Sequence, residues 1–550
     1  MTHRSLAGLQ QVGAFFAPSN MKRMRAAGAV SPKGPLGLLT ALPWIVGRGP
    51  SLGIVSHLNS VVLGNKPAIH DRNGVTTFRE LNRRAKKAAN LFAAEGVKPG
   101  DSVALMTRNS REMAELLLGG QKSGVVICPL NTWAKKKELD ATMASSKAKL
   151  IVYDTGHSKQ VKSSATAGVP LLHIGDGAPA DDRSRPYEKA IEAQSEAPPP
   201  PFTRQPGSAR VIIHTSGTTG TPKGAARDSA AAGIGALSHI LSVVPYHRDD
   251  VVLCSSPMFH SFGLATFTFA TALGATLVLP EKFDPTETLR LIEQHKVTAA
   301  SLVPVMIRRI IQLPDKVKSR YDVSSLRILM ASGSVLSEDL RKETTALFGD
   351  VIYDLYGSTE VGWVAIATPQ DIKDKPMTVG RAVEGTEVAV FDSKGRRVGP
   401  GETGELYIRS GVIFEGYTSG EKRAEIDGYM AIGDLGHIDD DGYIYVEARS
   451  DDMVVVGGEN VYPIEVEQVI EGIEGVDEVT VFGVPDPEYV HVLVAVVVGN
   501  VTSQKVLKVC KQELASYKVP KRVEIADKLP RTSTGKVLKR ELQASINHVR

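Results

Sequence analysis

The first seventy residues contain no aspartate or glutamate. Over the same stretch Arg4, Lys22, Arg23, Arg25, Lys33, Arg48 and Lys66 supply charge of one sign only. A basic, acid-free arm with apolar patches either rests on an anionic membrane surface or packs against the protein's own surface. It is not a spanning segment, because its apolar run at 34–47 is broken by Pro35 and Pro43 and is too short for a bilayer. Gln10 and Gln11 interrupt the apolar start, which argues against a secretory leader. Cysteine is scarce. Cys128, Cys254 and Cys510 share no metal-like spacing and cannot all pair, which excludes a disulfide framework and a zinc site. They fit a reducing, cytoplasmic setting, as buried apolar side chains. A net charge of +4 and the lack of any recognition motif leave no case for nucleic acid. From 251 to 280 no charged residue occurs, His260 aside. That segment divides into strand, loop, helix and strand, a buried core rather than a membrane span.

What is present is a chain of 550 residues, too long for one hydrophobic core. Short β-branched runs alternate with helical patterns through its middle. Residues 211–214 read as a strand ending at a Gly/Thr loop, with an Ala-rich helical stretch through Leu241 after it. Residues 275–279 and 298–303 read as strands. Between them Asp284, Pro285 and Glu287 open a helix with an N-cap, a first-turn proline and an acidic third position. This alternation predicts an α/β fold of layered, mostly parallel sheets. Residues 178–207 are polar, contain four prolines in a row and read as a surface connector. Strands at 478–484 and 492–498 and a helix at 505–516 predict a small α+β domain. The expected organisation is a basic arm at 1–70, a large domain at 71–449 and a small, mobile domain at 450–550. A second copy of the chain is a candidate partner.

The strongest chemical signal is TSGTTGTPKG at 215–224, directly after a strand. Gly217 and Gly220 let backbone N–H groups close around phosphate oxygens. Thr215, Ser216, Thr218 and Thr219 add hydroxyl donors, and Lys223 adds positive charge. It is not a Walker loop, because Gly224 rather than Ser or Thr follows the lysine. This loop resembles the hallmark of the adenylate-forming superfamily, which includes acyl-CoA synthetases, firefly luciferase and peptide-synthetase adenylation domains. The resemblance runs from about Val75 to Arg540.

The resemblance implies roles for residues along the chain. In YGSTE (356–360), Tyr356 stacks on adenine beside Gly357, Thr359 contacts the α-phosphate region and Glu360 holds Mg²⁺. Magnesium binding through one carboxylate plus substrate phosphates is sound chemistry. Gly333, in SGSVL, lies where the family flanks the adenine, although Val335 replaces the usual proline. Asp434 (MAIGDLG) binds the two ribose hydroxyls, as a carboxylate can, and Arg449 assists it. Ile432 and Ala448 depart from the family's threonine and glycine. Asp451 is the hinge of the small domain. Gly457, Gly458 and Glu459 line the coenzyme A channel, where paired glycines admit a thin ligand arm. Lys536, in LPRTSTGKVLKR, stabilises the pentacovalent α-phosphate. Attack of a carboxylate on a phosphate brings two anions together, and a compact ammonium offsets the repulsion.

His260, in PMFHSFGL, matches the residue that closes the acyl pocket. No acidic residue lies nearby to pair with an amino group, and an unpartnered buried ammonium is costly. An apolar acid is therefore expected. The resemblance implies a fatty acid–CoA ligase using ATP, Mg²⁺ and coenzyme A. An aryl- or short-chain acid ligase, a ligase loading a carrier protein, and a non-catalytic binding protein are the alternatives. Only forty-four residues separate Glu360 from Glu405, leaving little room for the insert of acyl-AMP ligases, and no carrier domain follows Arg550.

Overall fold

The computed structural model describes residues 22–23, 25–28, 51–134, 136–164, 168–202, 211–215, 223–227, 240–358, 360–410, 423–449, 454–456, 459–486, 490–514, 516–531 and 537–547. The fold is α/β, with a large N-terminal domain of three sheets and a small C-terminal domain.

The first sheet has seven strands and ends in a hairpin formed by β1 (Val211–Thr215) and β2 (Lys223–Arg227). The other strands of this sheet run parallel, as crossover helices require. The second sheet has nine strands. At its centre lie the parallel strands β3 (Val251–Cys254), β4 (Ala299–Leu302) and β5 (Ile328–Ser332). Next come β6 (Ile352–Ser358), parallel to β5, and β7 (Gly362–Ala367), antiparallel to β6. The third sheet is antiparallel and carries β8 (Tyr429–Ile438) and β9 (Ile444–Arg449).

Helices α1 (Phe78–Ala94) and α2 (Arg111–Ser123) pack on one another and bury Leu91, Phe92, Met113 and Leu116 completely. Capping is as the sequence dictates. Thr77 Oγ1 accepts the Glu80 N–H at 3.2 Å, and Asp284 Oδ1 accepts the Glu287 N–H at 2.8 Å. The uncharged segment forms β3, then α3 (Ser261–Leu273), then the strand Thr276–Val278, the order expected for a buried core. All three cysteines are free and buried. Among the described residues no helix is long and apolar enough to cross a membrane.

Two expectations are corrected. The arm does not extend to residue 70, because Leu52–Val62 is a helix packed on α1 and α2, and Pro67–Asp71 is a strand of the second sheet. The described piece of the arm also lies on the large domain. Ala27 is buried, its carbonyl accepts the Arg248 N–H at 2.8 Å, and Arg23 pairs with Glu384 at 2.5 Å. Nor is 178–207 wholly a connector. Tyr187–Glu192 forms a helix whose Tyr187 and Ile191, one turn apart, are buried, while Glu188 and Glu192 pair with Arg84 and Lys87 of α1. Its polar composition serves both this ionic seam and solvent, to which most of the described residues of the segment are exposed. The end of the Ala-rich stretch at 240 is helical, and 228–239 lie outside the described residues.

In the small domain β10 (Val476–Asp486) and β11 (Val490–Gly499) form a long antiparallel pair around the expected cores. The predicted helix spans Ser503–Glu513. A further helix, α4 (Pro463–Glu471), places Glu471 3.8 Å from Arg308 of the large domain.

Candidate active site

The Gly/Thr segment joins two strands that pair antiparallel. Thr215 and Lys223 are cross-strand partners where β1 and β2 meet it. The seven residues between them, Ser216, Gly217, Thr218, Thr219 and Gly220 included, lie outside the described residues. The chain therefore returns through a strand at 223–227 rather than entering a helix. This topology differs from a Walker loop as the sequence does.

A second hairpin, β6 and β7, carries the YGSTE motif. Tyr356 Oη donates to Asp434 Oδ2 at 2.7 Å, joining residues seventy-eight apart in sequence. Asp434 is 7% exposed and lies opposite Arg449 in the β8–β9 ladder. At the hairpin tip, Ser358 Oγ accepts the Glu360 and Val361 N–H groups, which fixes the turn. Thr359 lies outside the described residues. Glu360 is buried, with Arg423 Nη2 at 3.3 Å from Oε1. Gly333 has φ +97°, so the turn after β5 takes glycine at that position. Beneath the motif, Asp354 is paired with Arg341 at 2.6 Å, both almost fully buried. Burial pushes the Asp354 carboxyl up against the pull of that guanidinium.

On the other face of β6 lies an apolar cavity of about 20 Å³. Phe269 of α3, Met330 of β5, Leu355 of β6 and Trp363 of β7 line it, with Thr266 and Ser301 as polar members. Thr266 Oγ1 donates to Ser301 Oγ at 3.0 Å, so these hydroxyls are turned toward one another. His260 sits at the N-terminus of α3, its ring 4.5 Å from that of Phe259. Burial pushes its imidazole down to about 4, so the ring is neutral at neutral pH.

The profile of the AMP-binding enzyme family matches residues 60–418, and that of the AMP-binding enzyme C-terminal domain matches 465–536. The chain belongs to the AMP-binding enzyme family. It is 32% identical over 474 residues to the long-chain-fatty-acid–CoA ligase FadD13 of Mycobacterium tuberculosis, covering 85% of this chain and 92% of that one. It is 33% identical over 483 residues to the feruloyl-CoA synthase of an Amycolatopsis species, covering 86% and 94%. The solved anthranilate CoA ligase AuaEII, in complex with anthranoyl-AMP, superposes with a TM-score of 0.82 at 25% identity, covering 91% and 98%. This AMP-binding enzyme is an ATP-dependent acid–CoA ligase that uses ATP, Mg²⁺ and coenzyme A.

The residues present fit the metal. Among the described residues no group of three His, Cys, Asp or Glu side chains gathers for a metal ion, whereas magnesium is commonly held by one carboxylate together with nucleotide phosphates. Glu360 is the described carboxylate at the motif tip, and it would hold the ion. When bound, the ion neutralises phosphate charge.

The small-domain residues are placed less completely. Asp451, Gly457, Gly458 and Lys536 lie outside the described residues, and Glu459 begins a short strand paired with Val454–Val456. An isolated bridge between Arg531 and Val537 closes the segment that contains Lys536. Sequence reasoning missed Arg423, which lies far from Glu360 along the chain. It also missed Trp363. Gly357 pairs with Trp363 rather than Val364, and this bulge, which alternation along the chain does not show, sets the indole on the face of Leu355 and Ile366.

Proposed function

We propose that this enzyme activates an apolar carboxylic acid as its acyl-adenylate, releasing pyrophosphate, and then transfers the acyl group to coenzyme A. The observation that carries this reading is the two-sided β6 strand. Tyr356 faces Asp434 on the nucleotide side, and Leu355 faces a cavity without charged lining on the other. A nucleotide held on one face and an acyl tail on the other bring the carboxylate to the α-phosphate between them. There a carboxylate oxygen forms the new P–O bond as the bond to pyrophosphate breaks. Lys536 supports this step by neutralising the meeting anions. The small domain then turns about Asp451, withdrawing Lys536 and bringing Gly457, Gly458 and Glu459 to the channel. The coenzyme A thiolate attacks the acyl carbon, and AMP leaves.

The acid is a fatty acid in the reading favoured by the uncharged segment 251–280 and by the likeness to FadD13. A compact aryl- or short-chain acid is the second reading, favoured by the small cavity. The buried free thiols support a reducing, cytoplasmic setting. The test is exchange of labelled pyrophosphate into ATP with a panel of fatty, aryl and short-chain acids. Acid-dependent exchange followed by thioester formation supports the proposal. Absence of exchange with every acid removes it.

A further inference from the structure

Asn109 follows the strand Ser102–Met106 of the first sheet and precedes α2, yet its side chain serves the second sheet. Its amide N–H groups donate to the Cys254 carbonyl at 3.1 Å and to the Ser256 carbonyl at 2.9 Å. Its own carbonyl accepts the Met258 N–H at 2.7 Å. Two donors and an acceptor are thus spent on one segment, 145 to 149 residues away in sequence. Asn109 is 5% exposed, and Cys254, Ser256 and Met258 are buried. Buried backbone groups just past the end of β3 have no ladder to pair with, and the amide takes its place.

The anchor is itself fixed on the first sheet. The Arg108 N–H donates to Asp154 Oδ2 at 2.6 Å, and Ser110 Oγ accepts the Met113 N–H at 3.3 Å as the cap of α2. Segment 254–258 in turn fixes α3. A Cβ on Gly263 would lie 2.3 Å from the Pro257 carbonyl oxygen and 2.5 Å from that of Ser256. The first turn of α3 therefore rests on the backbone that Asn109 holds. Phe259 and His260 lie between the two, and Phe262, Thr266 and Phe269 of α3 line the cavity. A displacement of the segment reaches the cavity wall through backbone contact, with no flexible side chain in between to absorb it.

We infer that Asn109 is a positioning residue for the acid: it ties the start of α3, with Phe259 and His260, to the first sheet, and acts on the acid only through them. This rests on the assignment of the acyl side of β6 under Proposed function. Asparagine is the residue type that the place demands. Two carbonyl oxygens and one N–H converge on it, and a neutral primary amide offers two donors and an acceptor in one planar group. Aspartate fits the space but sets a carboxylate against two carbonyl oxygens. An apolar side chain leaves three buried backbone groups unpaired.

The test compares wild type, Asn109→Ala and Asn109→Asp in pyrophosphate release, with the acid that the wild type turns over best from the fatty, aryl and short-chain panel. In Asn109→Ala the KM for the acid should rise about tenfold or more while the KM for ATP stays unchanged. Asn109→Asp keeps the shape and the acceptor, which covers the case of an unstable alanine variant. Ionised, it should lose at least as much as alanine. Protonated, it regains one donor, and burial favours that form. Its kcat/KM for the acid, as a ratio to wild type, should therefore recover as pH falls from about 8 to about 5.5, and the alanine ratio should stay flat. Taking the ratio removes the ionisations that the three proteins share, those of Asp154 and His260 included. Equal rises in both KM values, or an aspartate ratio that ignores pH, would reduce Asn109 to general support of the fold. Either would overturn the inference while leaving the ligase reading intact. Failure of the wild type to turn over any acid would instead defeat the ligase reading and this inference with it.

Discussion

The bond between Tyr356 and Asp434 offers a quantitative test of the nucleotide site. At 2.7 Å the phenol donates to a carboxylate that is 7% exposed. Charge-assisted hydrogen bonds of this kind contribute about 1.5–3 kcal/mol. Tyr356→Phe keeps the ring for stacking and removes only the donor, so the KM for ATP should rise by about ten- to a hundredfold. Asp434→Ala removes the acceptor and both proposed ribose contacts, and its cost should be larger. The decisive measurement is the double variant. If the hydroxyl acts by orienting Asp434, it has nothing to orient once the carboxylate is gone. The double variant should then bind ATP about as poorly as Asp434→Ala alone, with a coupling energy close to the whole effect of Tyr356→Phe. The assay is the ATP dependence of pyrophosphate release at saturating acid. Simple additivity of the two single effects would refute the reasoning, because it would mean that the hydroxyl binds nucleotide independently of Asp434.

Other outcomes follow from the same geometry. Arg341→Met leaves Asp354 buried without its partner and should cost about 3–5 kcal/mol in urea unfolding; a loss below about 1 kcal/mol would contradict the pairing. Lys536→Ala should abolish adenylate formation while thioester formation from supplied acyl-AMP continues, and equal loss of both steps would contradict its assigned role. The pH dependence of stability has a definite sign. Burial pushes His260 and His214 down to about 4 from an ordinary 6.5. Between those values the unfolded chain binds protons that the folded imidazoles refuse, so stability rises with pH across the window and these groups add no slope above it. His260→Gln should flatten the rise in urea midpoint between pH 4 and 6.5, and an unchanged slope would show that the imidazole is not held neutral.

Much of the architecture was legible because it rests on local chemistry. Asp284, Pro285 and Glu287 specify a helix start wherever they occur, and 251–280, lacking charge, had to be interior. The Gly/Thr loop at 215–224 carried the family resemblance because its glycines and hydroxyls are adjacent in the chain, and the family profile spans it. The helix at Tyr187–Glu192 was not legible, because what holds it is Arg84 and Lys87, about a hundred residues earlier. Arg423 beside Glu360 and Asp434 beside Tyr356 are likewise products of sheets brought together. By itself, then, the sequence determined the layered α/β class, the motif segments that mark the family and the interior place of the uncharged stretch. Only the tertiary structure decided which side chains meet across β6, and which ones line the cavity behind it. Trp363 is one of them because of a single bulge at Val364. A period of two read along the chain cannot anticipate such a bulge, because strand register is set by both partners.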